Sequence, residues 1–289
     1  VAASDLAQLA DVKAWLAGSS GIGAGDDVLL ARLITDVSGA IAAYLGRPFI
    51  LPRSWSERYD GNGKTRLYLR SWPVLSVASL VVGDTTIAAA PTPGAGVSWQ
   101  AGYLLDPWDG TPPGIRQALD LRGHCYWGGR QNVLVSYMAG YQVTAEAATV
   151  PASTAYTVTP LQPFGPWASD SGVSYANGTA LTLTTNAPTQ GQYQITLNPQ
   201  PDQSPPTWSI KYTFAAADAG AAVLISYGFI PAALNNACIE WVAERYRYRT
   251  RIGQSAQTVA GQMTSAYSLK DMPDFIRTSL DPFRNVVPF

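Results

Sequence analysis

PAALNNACIEWVAERYRYRTRI, residues 231–252, is the stretch on which the reading of this chain turns. Pro231 stands where a first-turn proline is tolerated and Gly253 where helices commonly stop, so the segment is predicted to be a helix. Leu234, Cys238, Trp241, Val242, Tyr248 and Ile252 recur at helical spacing and mark an apolar stripe. Arg245, Arg247, Arg249 and Arg251 follow at every second position. At about 100° per residue, Arg245 and Arg249 share one side of the helix while Arg247 and Arg251 lie nearly opposite. A helix with guanidiniums on both sides cannot rest on one core and leave its other faces idle. The pattern predicts a helix wedged between subunits or beside a polyanion. A solvated helix end, where cations offset the macrodipole, is the plainer alternative.

The chain around this helix has 289 residues, enough for one large core or two modest ones. Only 13% of residues are charged, against about a quarter in typical globular domains, while Gly, Pro, Ser, Thr and Ala are plentiful. That composition suits a β-rich protein whose neutral surface is covered by neighbours. A net charge of −1 exerts no global pull towards nucleic acid or anionic membrane, so such contacts have to be local. Cys125 and Cys238 lie far apart and are read as reduced and structural, as expected for assembly in the cytoplasm. An unbroken apolar run of about 18 residues and a basic-then-apolar leader are both missing, so neither a membrane span nor a secretory signal is expected.

Two helices are predicted first, over 5–17 and 26–45, separated by the glycine-rich GSSGIGAG (18–25). Leu6, Leu9, Val12, Trp15 and Leu16 form the stripe of the first. Val28, Leu29, Leu33, Val37, Ile41, Tyr44 and Leu45 form that of the second, with Asp26 or Asp27 as its cap and Gly46 as its stop. From Arg53 the apolar period changes to two. SWSERYDGNGKTRLYLR (54–70) predicts two strands joined by a tight turn, and VLSVASLVVGDTTI, GYLLD and NVLVSYMAGY predict more. Residues 142–226 have another composition: five charged residues (Glu146, Asp170, Asp202, Lys211, Asp218) and no arginine. Strand-like runs at ALTLTTN, GQYQITLN, WSIKYTF and AAVLISY predict a small β-domain there, sandwich-like in kind. Strands with similar Ser-Tyr phrases flank it, VLVSYMAGY before and AAVLISYGFIP after. This predicts an insertion leaving near Tyr141 and returning near Ile230; one continuous all-β core from 53 to 230 is the alternative.

Most catalytic chemistry is excluded on spacing or context. GNGKT (61–65) lacks the upstream glycine of a phosphate loop, since position 58 is Arg, and strand-like TRLYLR follows where a helix is needed. The glycines at 18–25 lie between helices, which is the wrong context for a dinucleotide fold. His124 is the lone histidine, so with two cysteines it cannot complete a tetrahedral metal site without carboxylates, and no G-x-S-x-G elbow accompanies it. Asp106 and Asp109 flank Trp108 and could serve as a carboxylate pair beside a sugar-stacking ring; turn capping next to prolines is the commoner use. Trp167, Tyr175 and Trp208 could bind carbohydrate, or could be core. No cofactor, metal or catalytic group is expected.

The order of pieces resembles the head–tail connector (adaptor, or head-completion) proteins of tailed bacteriophages. The phrases that carry the likeness are LADVKAWL, DDVLLARLITDVSGAIAAYLGRPF, WPVLSVASL, VLVSYMAGY, ACIEWVAERYRYRTRIG and the closing DMPDFIRTSLDPFRNVVPF. It covers 1–141 and 227–289; the stretch 142–226 departs from it, though YTFAAADAGAAVLISY is similar to β-sandwich modules appended to phage structural proteins. The resemblance implies an α+β fold: a helical connector core with a β-strand subdomain, an inserted all-β domain at 142–226, and a C-terminal arm at 253–289. It implies a non-enzymatic virion protein of the neck, assembled in the host cytoplasm as a homo-oligomeric ring beneath the twelve-fold portal. Its expected partners are the portal protein, a neck, stopper or tail-completion protein, its own copies and the genomic DNA in the channel, with no membrane. Trp241, Tyr246 and Tyr248 are the expected packing residues, and Arg245, Arg247, Arg249 and Arg251 the expected contacts to neighbours or DNA. The arm, with Phe275, Ile276, Leu280, Phe283 and Val286 but little core of its own, is expected to order on docking. The other class of function is a carbohydrate-binding or adsorption protein of the virion working through 142–226.

Overall fold

The computed structural model describes residues 5–17, 23–91, 99–107, 115–200, 207–249, 256–259, 263–266 and 272–285. Within them the chain is a mixed α+β protein, rich in strands, with four α-helices and several mainly antiparallel sheets. Helix α1 (Leu9–Leu16) and helix α2 (Asp27–Leu45, entered through a 3-10 turn at Ala24–Asp26) come first. Leu6, Val12 and Leu16, then Leu30, Ile34, Val37, Ile41 and Leu45, are buried against the same core. Gly46 ends α2 in the left-handed conformation (φ 62°), a backbone state that costs glycine nothing.

Strands β1 (Arg53–Gly61), β2 (Arg66–Tyr68), β3 (Val74–Val82), β4 (Thr85–Ile87), β5 (Gly102–Asp106), β6 (Ala118–Arg122) and β7 (Gly129–Ala139) follow. They form a sheet of order β1-β7-β3-β4 and a second of order β2-β6-β5, joined by a bridge between Ala89 and Tyr103. Both sheets feed one core containing Tyr59, Leu67, Leu80, Leu119, Tyr126, Val133, Val135 and Tyr137. The turn expected at 60–63 is therefore no hairpin. β1 pairs with β7 and β2 with β6, so 62–65 is a corner between sheets, fixed by Gly63 N–H on the Tyr126 carbonyl (2.7 Å) and Gly61 N–H on Asn132 Oδ1 (2.8 Å).

At Gly140 the chain passes from this unit to the next. The residue has φ +145°, and an added Cβ would stand 2.4 Å from Pro52 N, so no side chain fits there. Then come β8 (Gln142–Thr149), β9 (Thr157–Val158), β10 (Trp167–Tyr175), β11 (Thr182–Leu183), β12 (Gln192–Gln200), β13 (Thr207–Phe214) and β14 (Ala222–Phe229). They make sheets of order β10-β14-β8 and β11-β12-β13-β9. Residues of both sheets, Val173, Tyr193, Tyr212, Val223, Ile225, Tyr227 and Phe229 among them, share their core with the helices. β8 and β14 pair with each other down to Gln142 opposite Gly228, and Phe229 N–H donates to the Tyr141 carbonyl (3.2 Å).

Helix α3 (Ala232–Tyr248) lies at the centre of this larger core and packs against α1, α2 and helix α4 (Asp274–Leu280). A short hairpin, β15 (Ala256–Val259) with β16 (Met263–Ala266), lies between α3 and α4 in sequence. Asn235 Nδ2 donates to the Leu6 carbonyl (2.9 Å), Leu6 N–H donates to Ser38 Oγ (2.9 Å), and Ser38 Oγ lies 3.6 Å from Cys238 Sγ. This buried polar chain sets the height of α3 relative to α1 and α2. α2 is also the described helix long and apolar enough to cross a membrane, with a mean hydropathy of 1.6, but five of its aliphatic side chains are fully buried in the protein core.

Candidate interaction surface

The C-terminal end of α3 meets the N-terminal end of α2 and the last turn of α1. Arg249 joins the first two through an ion pair with Asp26 (2.9 Å), while its second nitrogen donates to the Tyr246 hydroxyl (2.7 Å) and its plane lies 4.1 Å from the Tyr246 ring centre. The guanidinium holds the Asp26 carboxyl below the usual carboxylate range. Lys13 on α1 pairs with Asp27 on α2 (2.8 Å). The two aspartates expected to cap α2 thus spend their carboxylates on neighbouring helices; Asp26, the residue at the cap position, makes no side-chain capping bond.

Around these links the surface is apolar and cationic. Trp15 is 54% exposed and Val28 is 83% exposed, although both were expected in helix stripes facing the core. The reason is visible in the sequence: apolar neighbours in VLLARLI on α2 and in AWL on α1 leave the angle of each stripe open, and packing selects Leu30 and Ile34 on α2 and Leu16 on α1 instead. Leu29 and Tyr248 are also exposed. Arg245 reaches back over the Trp241 ring (5.1 Å) and, like Arg247, is exposed.

The expected site residues divide into three groups. Arg245, Arg247, Arg249 and Tyr248 lie together at this helical end, while Arg251 falls outside the described residues. Trp241 and Tyr246 are buried in the chain's own core. α4 carries the rest: Phe275 is exposed, Ile276 and Leu280 are fully buried against that same core, and Phe283 is half-buried beside Tyr141. The expected arm with little core of its own therefore docks on its own chain through α4, because Ile276 and Leu280, four residues apart, present one apolar face to α3. Val286 lies outside the described residues.

Elsewhere, four carboxylates are occupied by tyrosines. Glu57 accepts from the Tyr59 and Tyr137 hydroxyls, Glu146 from Tyr227 (2.7 Å), Asp170 from Tyr193 (2.6 Å) and Tyr212 (3.2 Å), and Asp218 from Tyr175 (2.6 Å). Trp167 Nε1 donates to the Tyr212 hydroxyl (3.0 Å), so the polar atoms of Trp167 and Tyr175 point inward; the Trp208 side chain lies outside the described residues. Asp106 and Asp120 both pair with Arg66, and Asp109 is outside the described residues. Among the described residues no group of three or more His, Cys, Asp and Glu is placed to hold a metal ion. Neither a protein-family model nor a curated protein matches this chain.

Proposed function

We propose that the chain is a structural subunit of a tailed-phage neck, a ring-forming adaptor between portal and tail that continues the DNA channel. The observation that supports it best is the helical end where α1, α2 and α3 meet. Exposed Trp15, Val28, Leu29 and Tyr248 stand there among the guanidiniums of Arg245 and Arg247. Aromatics and arginines around an apolar centre are the composition of a protein interface. In this reading the helices form the connector core, strands β1 to β7 its subdomain, and 142–226 a sandwich-like insertion. The pairing of Gln142 with Gly228 supports an insertion, since the chain leaves and returns at one place. The insertion then sits directly on the helices, with which it shares a core.

The test uses purified portal rings. The full chain should add as an annular layer by electron microscopy and co-sediment with the portal. The Arg245→Glu, Arg247→Glu double variant should lose that addition while keeping its melting temperature. A wild-type chain that never associates with portal, or joins as well with both charges reversed, would end this reading.

A further inference from the structure

The turn Gly46–Phe49, between α2 and β1, has an open site on each side. On one side runs a groove of about 780 Å³, walled by Thr35, Gly39 and Ala43 of α2, by Gly46 after it, and by Phe49 and Leu51. On the other lies a cleft of about 230 Å³, lined by Arg47, Phe49, Trp55, Glu57, Arg70 and Asn285. Gly46, Arg47, Pro48 and Phe49 line both. We propose that the two together form a docking site for an acidic, apolar peptide segment of a partner protein, the groove taking apolar side chains and the cleft a carboxylate.

The groove is built by small residues. A Cβ added at Gly39 would meet nothing within 4 Å, and Phe49 is left 46% exposed at the far wall. The charge lies in the cleft. Arg47 is only 4% exposed, and its partners are the Trp72 carbonyl, the Tyr141 hydroxyl (3.1 Å) and the Trp72 ring (4.0 Å), with no carboxylate among them. Arg53 lies over the Phe49 ring (4.2 Å) and Arg70 over the Tyr59 ring (5.0 Å). The facing carboxylate, Glu57, is held at the floor by two tyrosine hydroxyls. Two guanidiniums lining the cleft, Arg47 and Arg70, and a third, Arg53, stacked on its Phe49 and Trp55 wall, face one engaged carboxylate and leave the cleft positive, and guanidinium forks suit an incoming carboxylate.

Phosphate-rich nucleic acid fits less well. The groove that continues from the cleft is mostly apolar, and its wall carries Asp5, which accepts from the Thr35 hydroxyl (3.2 Å) and would repel a second phosphate. One carboxylate followed by apolar side chains matches both halves. This site is distinct from the α3 surface and does not rest on the adaptor reading.

The test is selection of a displayed random dodecapeptide library on the full-length protein. Recovered peptides should combine apolar residues with Asp or Glu. Their affinity should fall about tenfold or more in the Arg53→Glu, Arg70→Glu variant and when the peptide acid becomes its amide. Gly39→Phe, which fills the groove without touching the charges, should block binding as well. All these positions are exposed, so near-ultraviolet circular dichroism should confirm intact folding. Recovery of no peptides, recovery of peptides without acids, or affinities indifferent to these changes would overturn the proposal. So would tighter, Arg53- and Arg70-dependent binding of an oligothymidylate, which would reassign the site to nucleic acid.

Discussion

Cys238 shows how one buried position sets chemistry. It is fully buried beside Ser38, and burial pushes its thiol up to about 12. Thiolate is the reactive form, so Cys238 should resist alkylation in the native protein while half-buried Cys125 reacts. Mass spectrometry after a short iodoacetamide pulse would show one modified cysteine, and two after unfolding in guanidinium. The tyrosines behave in the same direction. Burial, with Glu57 next, raises Tyr137 to about 12, and burial raises Tyr59, Tyr126, Tyr193, Tyr212 and Tyr227 above their ordinary value. A raised folded-state value means the native state holds its proton longer than the unfolded chain. These groups therefore contribute stability that is complete below the unfolded value of about 10 and is lost as pH climbs through the folded values. Absorbance at 295 nm should rise in two stages during alkaline titration, the second coinciding with loss of secondary structure. A single smooth rise around pH 10 would contradict the packing described for these rings.

At the scale of elements, α4 is the informative case. Ile276 and Leu280 are fully buried, so Ile276→Ala or Leu280→Ala should each cost about 2–5 kcal/mol, whereas Phe275→Ala, at an exposed position, should stay within about 0.5 kcal/mol. Urea unfolding of the three variants separates a helix docked on its own core from an arm that awaits a partner. Removal of everything after Gly253 should then destabilise the chain. Long periodic elements were legible in the sequence: α2 and α3 fall within a few residues of their expected spans, and β5, β7, β12 and β14 match their apolar runs. Elements whose form comes from their partners were not. β8 carries the alanine-rich TAEAAT, which lacks a strand signal, and exists because β14 pairs along it. β6 was hidden in ALDLR for the same reason, between β2 and β5. Of the candidate surface, the arginines were legible because charge on two helix faces is conspicuous. The exposure of Trp15 and Val28 was not, because a wheel cannot say which of several adjacent apolar residues meets the core. The groove and cleft at Gly46–Phe49 join residues far apart in the chain, and no local pattern announces them.

For the whole molecule, a net charge of −1 conceals an uneven distribution. Glu57, Glu146, Asp170 and Asp218 are turned onto tyrosine hydroxyls at partly or fully buried positions. Among the described residues the exposed acids are Asp36, Asp60, Asp84, Asp106, Asp274 and Asp281. The exposed cations are twice as many: Arg32, Arg53, Arg58, Lys64, Arg66, Arg70, Arg130, Arg245, Arg247, Arg249, Arg277 and Arg284. Arg66 and Arg249 are ion-paired with Asp106, Asp120 and Asp26, but the other exposed cations still outnumber the other exposed acids, an imbalance that the sequence pI of about 5.8 does not suggest. Long-range attraction depends on the charge a partner meets within a Debye length, about 8 Å at physiological salt, and not on the sum over the chain. At pH 7 the protein should accordingly be retained on a cation exchanger at low salt and released as ionic strength rises, against the expectation from its pI. Charge reversal at Arg245 and Arg247 should shorten that retention, and reversal at Arg53 and Arg70 should shorten it independently, because the two pairs belong to separate surfaces. Equal flow-through of wild type and both variants at low salt would mean that the carboxylates, though tied to tyrosines, still neutralise the surface.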